Sequence, residues 1–363
     1  TGACWRPSKK GCPKIGSLQN FYWFMKLIII SFDYELFFGI KAGSVYNTLI
    51  LPTNKMMDSL ESIGAKGTYF VDYLMIKKLR DIDEEKARKD LLLIEKQLVD
   101  IVKRGHRVEL HIHPHWLDAK YLGNGEWDFS DFSHYSLADL PSEQVNLLFR
   151  EGVGLLTKIV RQADANYRIL AYRAGGWAIQ PFYRMKEAFL ECGILIDSSV
   201  APGMTINRHN GKEPDFSMIS SNEIYSFSNQ IEKKECGGEF LEVPITTCKM
   251  TIFDKIANRF YINRHNMEFI PFADGTHSRV VMRKQSRIYR MLNFIKYCLI
   301  PNRIMFSMTR ISPNIILQKV LSSQEKILVF IDHPKDMSLS NIKVVQKLKG
   351  QGTFVTYEYF SNR

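Results

Sequence analysis

Two kinds of stretch alternate along this chain: short unbroken apolar runs, and longer segments in which apolar residues recur at every third or fourth position. Residues 27–32 are one such run, and 67–71 is another, rich in aromatic and β-branched side chains; both predict strands covered on two faces. Residues 52–63 predict a helix ended by Gly64. A longer helix is predicted over 84–104, where Ala87, Leu91, Ile94, Leu98 and Ile101 line one face. Gly105 stops it, and 107–110 supplies a third strand. The alternation resumes with a helix at 142–162, a strand at 167–172, a helix at 181–192 with proline near its start, and a strand at 194–196. It closes with a strand at 326–331, a helix at 341–349 and a strand at 353–356. This βαβα order predicts an α/β protein with parallel strands and helices outside. Residues 201–323 break the rhythm, with a polar stretch at 207–214, a Gly237-Gly238 turn, a strand-like segment at 240–246 and a basic helical section near 279–299. That region is expected to be barrel elements elaborated by a central insertion, and not a separate domain with its own chemistry.

Composition narrows the class. With 363 residues, 45% of them hydrophobic, the chain can bury a full-sized core. No run of eighteen apolar residues occurs, so no membrane span is expected. The net charge of +11 suits anionic partners, but the basic residues are dispersed and no basic-aromatic groove motif accompanies them. A nucleic-acid role is therefore not expected. The six cysteines form no CxxC pair and are expected to stay reduced. Residues 1–24 are polar and punctuated by glycine and proline, whereas Met25 leads straight into a strand. Residues 1–24 thus read as an extension, and 25–363 as a single domain. The run at 27–32 is too short for a secretory leader, so a cytoplasmic location is expected.

The candidate chemistry sits at strand ends. Asp33 and Glu35 follow the first apolar run, and His111, His113 and His115 follow the third. Asp332-His333-Pro334 ends the run near the C-terminus. Pro114 argues against a helix through the histidines, so a strand entering a sharp turn is predicted. Carboxylates and imidazoles at the carboxyl ends of separate strands point to a metal-dependent hydrolase on a β/α scaffold.

Taken in order, these pieces resemble the polysaccharide deacetylases of the NodB-homology type (carbohydrate esterase family 4), in particular forms tied to surface-polysaccharide biosynthesis. Ser31-Phe32-Asp33-Tyr34-Glu35 matches the family's first motif, and His111 with His115 its pair of histidines four apart. Tyr172-Arg173-Ala174-Gly175-Gly176-Trp177 matches the arginine motif, Asp197-Ser198-Ser199 the later aspartate motif, and Asp332-His333-Pro334 the last. The family's usual adjacent Asp pair is replaced here by Asp33-Tyr34-Glu35. Some relatives use an alternate-residue arrangement, and the resemblance then implies that Glu35 takes the ligand's place, which suits an extended segment, where residues two apart point the same way.

The resemblance implies a distorted (β/α) barrel of about seven parallel strands. It also implies one divalent metal on Glu35, His111 and His115, with His113 outside the shell. Zinc is the default, and cobalt, nickel or iron would be accepted. Asp33 would be the general base and His333 the general acid. Arg173 would orient Asp33 by a bidentate pair, and Asp197 would support His333. A backbone N–H near Tyr34 would help to hold the oxyanion. Trp116, Trp127 and Trp177 are candidate platforms for a sugar ring, while Asp72 and Asp332 are expected to serve mainly local structure. The implied activity is hydrolysis of an N-acetyl group on an acetamido sugar, a nucleotide- or lipid-linked precursor of O-antigen or capsule. Two alternatives stay open: hydrolysis of a non-sugar carbon–nitrogen bond, and a non-catalytic carbohydrate-binding role. Oligomeric state is not legible.

Overall fold

The structure is a computed structural model that describes residues 26–206, 214–279, 286–300 and 302–361. The expected extension at 1–24 and nearly all of the polar stretch at 207–214 lie outside the described residues. Nine strands form the main sheet: β1 (Leu27–Tyr34), β2 (Gly67–Asp72), β3 (Arg107–Ile112), β4 (Ala171–Ala174), β5 (Ile196–Asp197), β6 (Tyr225–Phe227), β7 (Phe240–Glu242), β8 (Ile327–Asp332) and β9 (Thr353–Phe354). Their order is β8-β1-β2-β3-β4-β5-β7-β6, with β9 also beside β1. The seven strands from β8 to β7 run parallel, and β6 is antiparallel at the edge. Beyond β7 the chain turns back toward β8. The Thr246 N–H donates to the Val329 carbonyl at 3.1 Å, and the Ile331 N–H to Phe306 at 2.9 Å. The result is the distorted (β/α) barrel that the sequence predicts.

Helices α1 (Leu51–Glu61), α2 (Tyr73–Arg80), α3 (Glu85–Lys103), α4 (Ser142–Val160) and α5 (Lys186–Cys192) follow the strands in turn. After β7 come α6 (Ile252–Arg264), α7 (Arg287–Leu299) and α8 (Pro313–Ser322), and α9 (Leu339–Leu348) follows β8. The sequence reading found neither α2, α6 nor α8. It started β4 four residues early, because residues 167–170 are instead held through side chains: Tyr167 Oη donates to the Val108 carbonyl and Glu109 accepts from the Leu170 N–H.

Strand alternation divides the core in two. Ile28, Ile30, Phe32 and Tyr34 pack outward among the helices. Ile29 faces inward with Phe70, Ala171, Ile196, Val243 and Val329, over a floor made by Tyr357 and Phe360. Ser31 and Asp33 share the parity of Ile29 and stand above this inner cluster. Three cysteines, 192, 248 and 298, are free as expected. Cys236 lies exposed beside the Gly237-Gly238 turn.

One buried histidine outside the site makes acid stability testable. His106 Nδ1 accepts from the Gly67 N–H at 2.9 Å, leaving Nε2 to donate to Glu61 at 3.1 Å. Burial lowers its pKa from 6.5 to about 4, against the partial support of Glu61. Between those values the unfolded chain binds the extra proton. Stability is therefore expected to fall as pH drops from 6.5 to 4, by roughly 3 kcal/mol from this group, and to lose no more below that. Urea titrations at both ends of the range should show a smaller pH difference for His106→Asn, and an unchanged difference would contradict the assignment.

Candidate metal centre

Alternation on β1 puts Asp33 and Glu35 at the inward-facing carboxyl end of the barrel. Tyr34 points the other way and donates from Oη to Gln97 Oε1 at 2.8 Å. On β3 the same rule sends His111 and, one step past the strand, His113 inward. Glu35 Oε2 lies 2.5 Å from His113 Nε2 and 3.4 Å from His111 Nε2. The ligand atoms of Glu35, His111 and His113 all lie within 4.8 Å of one another.

This set differs from the sequence expectation at one residue. Pro114 starts a short 3-10 turn (Pro114–Leu117), and His115 on that turn leaves the strand's inward face. Its ring packs among aromatic side chains, 4.2 Å from the Phe38 ring and 5.0 Å from that of Phe132. His113, expected outside the shell, takes its place beside Glu35. Glycine at 175 is required by this arrangement, because a Cβ there would stand 2.4 Å from the Ile112 carbonyl oxygen and 2.8 Å from His113 Nδ1.

The cluster suits a divalent cation. His111 Nδ1 donates to the Arg173 carbonyl at 2.7 Å, which leaves the Nε2 lone pair directed at Glu35. Apart from these contacts among themselves, Glu35 Oε2 and His111 Nε2 are buried and meet no other hydrogen-bond partner, and both ring nitrogens of the neighbouring His115 are orphaned as well. Such orphaned acceptors are costly unless something positive joins them. Two imidazoles and a carboxylate are a common catalytic donor set for zinc.

The remaining side chains hold this set in place. Burial would raise the Glu35 carboxyl, but Lys335, His113 and His111 hold it well below the usual range. Lys335 is itself buried, and its Nζ donates to Glu35 Oε1 at 2.8 Å and to the Leu36 carbonyl at 3.0 Å. The sequence reading missed this lysine, since a lysine after a turn ordinarily reads as solvent-facing. Burial likewise opposes ionisation of Asp33, but Arg173, His111 and His333 keep its pKa below the ordinary value.

Arg173 is fully buried and reaches Asp33 Oδ1 with Nη1 at 2.7 Å. It makes one such bond and not the expected bidentate pair, because its other nitrogens go elsewhere. Nε donates to the Ser198 carbonyl at 2.8 Å, while Nη2 donates to Ser31 Oγ at 2.8 Å and Tyr357 Oη at 3.0 Å. The Phe70 ring lies beneath its guanidinium, 4.1 Å away. Opposite, His333 Nε2 stands 3.7 Å from Asp33 Oδ2 and 3.5 Å from Glu35 Oε1. Its side chain is 23% exposed where that of Asp33 is 5% exposed, so His333 marks the side from which the site is reached.

Asp197 does not support His333. It pairs in register with Tyr172 and so points outward, away from the barrel interior. There its carboxylate accepts from the Ser199 N–H and Oγ, both at 2.9 Å, and lies against Glu242. The carboxylate near His333 Nδ1 is Asp336, at 3.5 Å, and Asp336 also meets His277 Nε2 at 2.5 Å. His277 comes from the insertion, which therefore reaches the edge of the site. Neither residue was visible in sequence: Asp336 lies three positions past His333 in a turn, and His277 is distant along the chain.

The other expected pocket residues resolve into structure. Asp72 Oδ2 accepts from Trp116 Nε1 at 2.6 Å, and Trp116 and Trp127 are both buried against each other. Neither can offer a face to a sugar. Trp177 is half-buried at the end of the arginine motif. Asp332, of outward parity, accepts from the Met308 and Thr309 N–H groups and holds the loop before α8.

No family model and no curated protein matches the chain in sequence. Among solved structures it is similar to a protein provisionally described as a polysaccharide deacetylase, from Mycobacterium smegmatis. The TM-score is 0.47 at 11% identity, covering 94% of this chain and 92% of that one. It is also similar to a 4-alpha-glucanotransferase from Thermococcus litoralis, with a TM-score of 0.43 at 14% identity over 93% of this chain and 38% of that one. A peptidoglycan deacetylase from Bacillus subtilis gives a TM-score of 0.35 at 12% identity, over 93% and 91% of the two chains. Likeness at this level says nothing about activity.

Proposed function

We propose that the protein is a metal-dependent amide hydrolase that removes the acetyl group from an acetamido sugar, a lipid- or nucleotide-linked precursor of surface polysaccharide inside the cell. The observation that carries this reading is the convergence of Glu35, His111 and His113, with an ionised Asp33 and a solvent-reaching His333 on either side. When bound, a divalent ion supplies a Lewis acid for the amide carbonyl and acidifies water. Asp33, fixed by Arg173 through one oxygen, has its other oxygen free to take a proton from the attacking water. His333 faces it from the open side and gives a proton to the departing amine nitrogen. Asp336 faces His333 Nδ1 from behind at 3.5 Å. Lys335 holds the far oxygen of Glu35, so that Oε2 turns toward His111 and His113.

A non-catalytic carbohydrate-binding role would be favoured by a Glu35 too far from both histidines to share an ion with them. The separations of 2.5 and 3.4 Å speak for the hydrolase. The test is to load the protein with zinc or cobalt and offer N-acetylglucosamine, its uridine diphosphate conjugate and N-acetyl-lysine. Acetate and free amine in equal amounts from a sugar are expected. Product from N-acetyl-lysine alone would move the assignment to non-sugar amides, and no product from any of them would overturn it.

A further inference from the structure

We infer that α6 and α7 together form a docking face for an anionic membrane surface, lying in the interface and not crossing it. The inference stands apart from the chemistry assigned to the barrel. On α7, Ile288, Met291, Leu292, Ile295 and Leu299 recur at spacings of three and four and form one stripe. Each is between 47 and 68% exposed, so the apolar face of this helix points away from the protein. Helix α6 continues the patch through Phe253, 84% exposed, and Phe260, 71% exposed.

The two helices are nonetheless fixed to each other. Lys255 on α6 is buried and donates to the Tyr297 and Ile300 carbonyls at 2.8 and 2.7 Å, tying down the end of α7. Phe294 and Cys298 supply the covered side of α7, with the Arg259 guanidinium over the Phe294 ring. An exposed aliphatic stripe on a well-anchored helix marks an interaction surface. At thirteen residues, or about 20 Å, α7 is too short to span a bilayer, and no helix among the described residues is long and apolar enough to do so.

Charge decides the partner. Between Gly275 and Gln324 the sequence carries nine Lys and Arg residues and no Asp or Glu. Arg290 and Lys296 on α7, with Arg259 and Arg264 on α6, are exposed; Lys296 borders the apolar stripe and Arg290 lies on the polar side of the helix. An amphipathic helix with basic residues on and beside its polar side and aromatic neighbours is the composition that settles at an anionic headgroup layer. A second copy of this chain fits poorly, because a two-fold contact places the same patch on both sides and sets cation against cation. The stretch between the helices also reaches the barrel mouth, where His277 meets Asp336 and Arg279 lies over the Phe132 ring. Docking by this face would thus bring the site close to the membrane surface.

The test is flotation of the full chain with vesicles of phosphatidylglycerol and phosphatidylcholine, and with phosphatidylcholine alone. Binding to the anionic vesicles is expected, at least tenfold weaker to the neutral ones and lost in about 0.5 M salt. Leu292→Asp with Ile295→Asp should lose it at least tenfold while keeping the wild-type melting temperature, since both positions are exposed. Arg290→Glu with Lys296→Glu should do the same and provides a second variant that leaves the apolar stripe intact. Absence of binding to anionic vesicles would overturn the inference, as would wild-type binding by both variants. A wild-type dimer that the Leu292→Asp, Ile295→Asp variant converts to monomer would show that the face joins two copies instead.

Discussion

Asp33→Asn is expected to lower the rate of acetyl release by roughly 10²- to 10⁴-fold while leaving metal content unchanged. Asp33 is not one of the three residues gathered as ligands, so its loss should not release the ion. The amide is nearly isosteric, and its oxygen can still accept from Arg173 Nη1, which now reaches Asp33 Oδ1 at 2.7 Å. What disappears is the second carboxylate oxygen, 3.7 Å from His333 Nε2, where a proton from water would be received. Initial rates of acetate release, set beside elemental analysis of the same sample, separate the two effects. Retained activity would remove Asp33 from the role of base, and a parallel loss of metal would make it a ligand.

Arg173→Met should have the largest effect on stability. The guanidinium is fully buried and bonds Asp33, Ser31, Ser198 and Tyr357, linking β1, β4, the end of β5 and the C-terminal floor. Replacing it leaves the Asp33 carboxylate buried without its main counter-charge, for which the expected cost is about 3–5 kcal/mol. Burial then pushes the Asp33 pKa upward unopposed by Arg173. Adding Asp33→Asn to the variant should return part of the loss, because the stranded charge is gone. Urea unfolding of the two single variants and the double reads this coupling. Strict additivity would mean that the arginine acts through its other four bonds alone.

Much of the barrel was legible because its signals are local. The unbroken run of β1 and the three-four spacing of α3 each carry their own periodicity, and both elements lie where that periodicity places them. Helix α2 was lost because Tyr73–Arg80 continues directly from β2 without a turn residue between them. The site was legible where strand parity governs it. Parity places Asp33 and Glu35 together and Tyr34 outside, and on β3 it puts His113 on the same face as His111, so His113 could not be set aside on parity. Family spacing pointed to His115, but the Pro114 turn carries that residue off the strand's face. Parity also excludes Asp197, one step out of phase with Ser198, whose carbonyl and hydroxyl both meet Arg173. Lys335, Asp336 and His277 had no such signal. They reach the site through a turn and an inserted segment, which only tertiary packing positions.

The most direct test of this centre is metal stoichiometry by elemental analysis on wild type and on the Glu35→Ala, His111→Ala, His113→Ala and His115→Ala variants after dialysis against zinc. About one ion per chain is expected in wild type and in His115→Ala, and little in the other three. An ion retained by His113→Ala but lost from His115→Ala would contradict the ligand set.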